Sequence, residues 1–216
     1  MIGTLRRASA VVALGALMLV THNVAMAAPT CEWPDESALE AILPVATDHG
    51  SHASGVVVAP DRVLTAAHAL NGGQQYFVRI DGGFRKARLI MKSSAHDLAV
   101  LEVETDSIKP LPLSVEEPSA SQAVWAVGFP RAQGKTTSSG VFQRNRQGAL
   151  HTSAPIDSGQ SGGGLLSCEQ GHYELLGMLR GYGAYLSGDR YVKLQNHSVA
   201  VAATTINQFV RAFQEY

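Results

Sequence analysis

The chain has 216 residues, with 17 Lys and Arg against 18 Asp and Glu, a formal net charge of −1, 45% apolar residues and 21 glycines. That balance excludes a disordered, collagen-like or coiled-coil chain. The absence of a cationic surplus excludes a general nucleic-acid binder.

Residues 1–27 read as a signal peptide. Arg6 and Arg7 form a short basic region, an apolar run over 8–20 is broken only by Ser9 and Gly15, and Ala25-Met26-Ala27 supplies the small residues of a cleavage site. The run is short for a bilayer span and no later segment is longer. The expectation is export by the general secretory route, to a periplasm or beyond, with no stable membrane association after cleavage; a retained N-terminal anchor is the alternative. Cysteines Cys31 and Cys168 both lie after the cleavage site. An even count in an exported chain reads as one disulfide, with two buried thiols as the alternative.

The remaining sequence has short apolar runs bounded by turns. A short helix fits 37–42, ending before Pro44. Strands fit 55–59, 63–65, 76–80, 84–91 and 98–103, with Asp81-Gly82-Gly83 marking a hairpin between the third and fourth. Pro110, Pro112 and Pro118 punctuate 109–121, which reads as a connection between two halves. Further strands fit 123–127, 136–143, 149–152, 164–166, 175–180, 191–194 and 199–202. Thr204 or Thr205 caps a final helix with Ile206, Phe209, Val210 and Phe213 on one face. Strands at this spacing, with almost no helical pattern between them, indicate antiparallel sandwiches or barrels. The organisation expected is an N-terminal segment 28–52, a first barrel 53–108, a linker 109–121, a second barrel 122–203 and a helix 204–216.

Three segments carry chemistry. Val63-Leu64-Thr65-Ala66-Ala67-His68 runs a strand into a histidine, His96-Asp97-Leu98-Ala99-Val100-Leu101 opens a strand with an aspartate, and Asp157-Ser158-Gly159-Gln160-Ser161-Gly162-Gly163-Gly164 sets a serine among glycines. A serine hydroxyl needs an adjacent base to act as a nucleophile, an imidazole suits that task, and a buried carboxylate fixes the imidazole tautomer. Glycines beside the serine let the chain turn sharply and aim backbone N–H groups at a developing oxyanion, here those of Gly159 and Ser161.

Together and in this order the segments resemble the trypsin/chymotrypsin family of serine proteases, over about 55–194. Ser54-Gly55-Val56-Val57-Val58-Ala59-Pro60-Asp61 before the histidine, and Thr152-Ser153-Ala154-Pro155-Ile156 before the nucleophile, are similar to bacterial Deg-type members; glutamyl endopeptidases are the other kin. The resemblance implies an all-β fold of two packed antiparallel six-stranded barrels with a C-terminal helix. It implies a secreted serine endopeptidase acting on polypeptides through His68, Asp97 and Ser161 and an acyl-enzyme, with no cofactor. A PDZ domain after the final helix is not expected. Gln160 stands where trypsins carry the aspartate that pairs with a new N-terminus, so trypsin-type activation is not expected. Gly164 replaces the proline usual after the nucleophile's glycines. By the family pattern the primary pocket has Pro155 and Ile156 at its base and Arg180, Gly181 and Tyr182 as a wall. No carboxylate stands at that base, which leaves either a small apolar preference or, through Arg180, an acidic one.

The other histidines, His22, His49, His52, His151, His172 and His197, show no metal-ligand spacing, and no metal is expected. Two rival readings remain. Gly159-Gln160-Ser161-Gly162-Gly163 also matches the nucleophile elbow of an α/β-hydrolase esterase, with Asp189 and His197 in that fold's order, although three glycines after the serine oppose the helix it requires. The second rival is a catalytically silent binding or adhesion protein on the protease fold. Oligomeric state is not legible.

Overall fold

The computed structural model describes residues 31–211. The proposed signal segment therefore lies outside the described residues, as does Phe213. Helix α1 (Glu36–Glu40) is capped by Asp35, whose carboxylate accepts the Ala38 N–H at 2.8 Å. The first barrel is closed by β1 (Ile42–Thr47), β2 (His52–Ala59), β3 (Arg62–Ala66), β4 (Tyr76–Ile80), β5 (Gly83–Ser93) and β6 (Leu98–Glu102), in the spatial order β1-β2-β3-β6-β5-β4. The second is closed by β7 (Ala123–Gly128), β8 (Thr136–Arg146), β9 (Ala149–Thr152), β10 (Gly164–Glu169), β11 (His172–Ser187) and β12 (Arg190–Ala202), in the order β10-β11-β12-β9-β8-β7. The all-β expectation of two six-stranded antiparallel barrels and a C-terminal helix, α2 (Ala203–Arg211), therefore holds. The parallel sheet of an α/β-hydrolase is excluded.

Turn chemistry sets the register. Ile80 pairs with Gly83, so Asp81-Gly82 is a two-residue loop with positive φ at both positions (49° and 81°), the turn that matches strand twist. Gln147-Gly148 and Gln170-Gly171 repeat the device in the second barrel. Between these turns, side chains alternate. Val124 and Ala126 of β7 point into the second barrel with Leu150, Leu165 and Ala200, while Trp125 and Val127 face outward into the core shared with the first barrel.

Strand β1 falls inside 28–52, which the pattern assigned to an N-terminal segment: Pro44 in its middle disguises it. It is nonetheless a barrel strand, paired with β2 and β4. Strands β11 and β12 are each longer than expected, because their hairpin continues past the barrel wall with Tyr185, Leu186 and Tyr191 exposed. Residues 109–121 cross between the halves; Leu111 donates to the Val57 carbonyl at 2.9 Å and Ser114 to that of Leu175 at 3.0 Å. Thr204 and Thr205 lie in the first turn of α2 rather than before it, and Ala203, Ile206 and Phe209 are its buried face.

Cys31 and Cys168 form a disulfide spanning 137 residues, which ties the segment before α1 to β10. In the chain-entropy model a loop this long stabilises by roughly 5 kcal/mol. Cys31→Ser with Cys168→Ser is expected to lower the urea midpoint by an amount equivalent to about 2–5 kcal/mol; an unchanged midpoint would show that the two barrels stabilise each other without the bridge.

Candidate active site

His68 enters the cleft because β3 ends at Ala66 and the chain turns into one 3₁₀ turn, Ala67–Leu70. Asp97 stands just before β6 with φ 57°, a left-handed conformation that aspartate tolerates better than most residues. That conformation aims its carboxylate back at His68. The imidazole Nδ1 lies 2.8 Å from Asp97 Oδ2 and 3.0 Å from Oδ1, and the His68 backbone N–H donates to Oδ1 at 2.9 Å. Strand pairing of β3 with β6, Ala66 opposite Leu98, holds the two residues together.

Asp97 is buried, and burial alone would raise its pKa. Hydrogen bonds from the His68 ring and backbone, the nearby imidazole charge and the Arg180 guanidinium outweigh that effect and hold the carboxyl below its ordinary value. Arg180 Nε sits 3.3 Å from Asp97 Oδ2.

Ser161 lies in the glycine loop between β9 and β10. Its Oγ donates to the Arg180 carbonyl at 3.2 Å, and no hydrogen bond joins it to the His68 ring in this conformation. Both residues line one cavity of about 330 Å³, together with Ser158, Gly159, Gly181 and Tyr182. Gly159 has φ 95°, and a Cβ there would stand 2.6 Å from the Phe129 carbonyl oxygen, so only glycine fits. The N–H groups of Gly159 and Ser161 have no hydrogen-bond partner among the described residues, while the intervening Gln160 N–H donates to the Asp157 carbonyl at 3.1 Å. Gln160 is buried and accepts the Asp157 N–H on its own Oε1 at 2.7 Å, so a neutral amide braces the loop where an ion pair is absent.

The loop is pinned to the first barrel by a residue to which the sequence pattern assigns no role of its own. Ser54, fully buried on β2, donates its N–H to the Ser161 carbonyl at 2.8 Å and its Oγ to the Gly159 carbonyl at 2.9 Å. The same Oγ accepts the Phe129 N–H at 2.9 Å. The Ser54 carbonyl accepts from Thr65 Oγ1 at 2.7 Å. A lone serine in an apolar strand carries no signal of this in the sequence.

The pocket residues divide. Gly181 and Tyr182 line the cavity at Ser161, but Pro155 and Ile156 do not: Pro155 is exposed, and Ile156 is packed in the core of the second barrel. Asp157, which the sequence reading did not single out as a pocket residue, lines it instead. Its Oδ1 is 2.6 Å from Lys193 Nζ and its Oδ2 is 3.1 Å from Arg131 Nη2, and these cations hold its carboxyl below the ordinary range. Lys193 Nζ also lies 4.9 Å from the Tyr182 ring centroid. Arg180 does not face this cavity; it turns to Asp97 in a second one of about 540 Å³. Among the described residues no group of three His, Cys, Asp or Glu could hold a metal. His197 is paired instead with His151, Nδ1 of the latter to Nε2 of the former at 3.2 Å, which removes it from any elbow-type triad.

Two closed barrels with a histidine–aspartate pair on one and a serine loop on the other define the trypsin-like architecture. Residues 53–178 match the trypsin-like peptidase domain, and the chain belongs to that family. Among curated relatives it is similar to the serine endoprotease DegS of Haemophilus influenzae, 31% identical over 127 residues covering 53% of this chain and 37% of that protein. It is also similar to the probable periplasmic serine endoprotease DegP-like of Hahella chejuensis, 32% identical over 130 residues, 55% of this chain and 28% of that one. The chain thus matches about a third of the length of these relatives. In fold it is similar to the serine endoprotease from Yersinia pestis, with TM-score 0.69 at 24% identity, covering 84% of this chain and 67% of that one. It is likewise similar to the Rv3671c protease from M. tuberculosis, with TM-score 0.69 at 17% identity and 81% of each chain covered.

Two outcomes follow from this geometry. Ser54→Ala leaves the half-buried Gly159 carbonyl and Phe129 N–H without the Ser54 Oγ partner and is expected to cost about 1–3 kcal/mol in urea unfolding; no loss would show that the loop relaxes freely. A carboxyl whose folded pKa is depressed stabilises the fold above its unfolded pKa, and that contribution is lost as pH falls through the folded value. The melting temperature of Asp97→Asn should therefore fall less steeply than wild type once pH drops below about 4; parallel slopes would remove Asp97 from the acid limb.

Proposed function

We propose that the chain is an exported serine endopeptidase with His68, Asp97 and Ser161 as its triad. The observation that carries this reading is the His68–Asp97 pair at 2.8 Å, opening on the cavity that also holds Ser161 and the two unengaged N–H groups of its loop. Rotation about the Ser161 Cα–Cβ bond swings Oγ from the Arg180 carbonyl toward His68; such bonds are often long before substrate binds. Ser161 Oγ then bonds to the scissile carbonyl carbon as its proton passes to His68. The Gly159 and Ser161 N–H groups stabilise the oxyanion, each such donor contributing roughly 3–4 kcal/mol in the transition state. The C–N bond breaks, His68 gives the proton to the departing amine, and water repeats the sequence on the acyl-enzyme. Asp97 holds the ring and stabilises the imidazolium.

The substrate lies extended beside β11. From Arg180 onward this strand pairs with β12 on one side, Gly181 with Val199 and Tyr182 with Ser198, and its other edge is open, because pairing with β10 ends at Met178. An extended peptide adds to such an edge through its backbone. Asp157 is already engaged by two cations, so no free carboxylate awaits a basic side chain; substrates with a small or medium apolar residue donating the scissile carbonyl should be cleaved faster than those with Lys or Arg there. Residues 1–27 fit the role of export signal, and the periplasmic designation of the DegP-like relative supports the compartment.

A fluorophosphonate probe tests the reading. Wild type is expected to label, Ser161→Ala not at all, and His68→Ala to lose on the order of 10⁴–10⁶ of kcat while keeping its fold. Well-folded wild type that neither labels nor cleaves would favour the silent binding protein. The base must be unprotonated to accept the proton, so kcat/KM should fall on the acid side; a rate flat from about pH 8 to about pH 4.5 would remove His68 from the role.

A further inference from the structure

We infer that the Arg180 guanidinium is a recognition group for a carboxylate side chain on the substrate residue that precedes the scissile one. This rests on the endopeptidase reading and adds a substrate class to it. Name the residue donating the scissile carbonyl P1 and the one before it P2. Ser161 Oγ and the Arg180 carbonyl are 3.2 Å apart, so a carbonyl carbon at the nucleophile brings the P1 backbone against Arg180. In an extended strand successive side chains point to opposite faces. With the P1 side chain in the cavity of about 330 Å³ beside Ser161, the P2 side chain faces the cavity of about 540 Å³ on the other side. His68, Gly181 and Tyr182 line both, and so form the ridge between them.

Among the described residues the larger cavity has two fully charged side chains on its wall, Asp97 and Arg180. They are not equally available. Asp97 is 7% exposed at its side chain, and its oxygens are taken up by the His68 ring and backbone. Arg180 is 52% exposed; only its Nε is engaged, at 3.3 Å from Asp97, and its two terminal nitrogens have no partner among the described residues. The accessible charge is therefore positive. It is also pre-oriented, since the contact with Asp97 fixes one end of a planar group whose free edge can donate two parallel hydrogen bonds to a carboxylate. Asn71 and Ser94, also on the wall, add neutral polar groups that do not oppose an anion.

The experiment is a series of otherwise identical peptides with Glu, Gln, Ala or Lys at P2. Wild type is expected to show kcat/KM for Glu about tenfold above Gln, and Lys below Ala. In Arg180→Gln the Glu-to-Gln ratio should collapse to within about twofold. Taking the ratio inside each variant cancels any general loss from disturbing Asp97. Should that variant not fold, wild type alone decides, because a charge-based ratio shrinks as salt rises from about 0.05 M to about 1 M. A wild-type ratio near one, a ratio that survives Arg180→Gln, or one indifferent to salt would each overturn the assignment. Failure of the endopeptidase reading looks different: no peptide is cleaved and no probe reacts. The Ser161→Ala chain titrated calorimetrically with the same peptides then still reads the Glu-over-Gln difference, as a ratio of Kd values.

Discussion

The contact on which the site depends is the close approach of the glycine loop of the second barrel to Ser54 of the first. Three of the four hydrogen bonds that Ser54 makes reach the second barrel, at Gly159, Ser161 and Phe129. None can form unless backbone meets backbone at van der Waals distance. A Cβ on Gly162 would sit 2.1 Å from the Ser54 carbonyl oxygen, and one on Gly128 would sit 2.9 Å from its Oγ. The glycines around the serine thus serve two ends at once. They give the loop its positive φ, and they let two barrels share a seam with His68 and Asp97 on one side and Ser161 on the other.

Asp97 shows how that seam is balanced electrostatically. A buried carboxylate is costly without compensation. Here the cost is offset twice, by the imidazole and backbone of His68 and by the guanidinium of Arg180, which belong to different barrels. One anion therefore links the turn that carries His68 to strand β11. Arg180 meets both Ser161 and Asp97: its carbonyl accepts the Ser161 hydroxyl at 3.2 Å, and its Nε lies 3.3 Å from Asp97 Oδ2.

The second anion of the cleft, Asp157, is handled differently. It is only partly buried, and Lys193 and Arg131 meet it from opposite sides. The cavity beside Ser161 thus has in its wall a carboxylate that is already paired.

Sequence alone determined the fold class and the hairpin at Asp81-Gly82, and it marked the histidine, aspartate and serine segments as the candidates for chemistry. Asp81-Gly82 and the histidine, aspartate and serine segments are local signals, written by turn stereochemistry and by short motifs, and they are legible one segment at a time. The clamp at Ser54, the burial of Ile156 away from the pocket, the pairing of Asp157 with Lys193 and Arg131, and the turn of Arg180 toward Asp97 are not. Each joins groups from distant parts of the chain, and each side chain has more than one direction available on its own strand. Strand β1 was hidden for a related reason, since a short proline-bearing apolar run becomes a barrel strand only when β2 and β4 close on it from either side. Closure of the two barrels, and the distance at which they meet, decided what the pattern of residues left open.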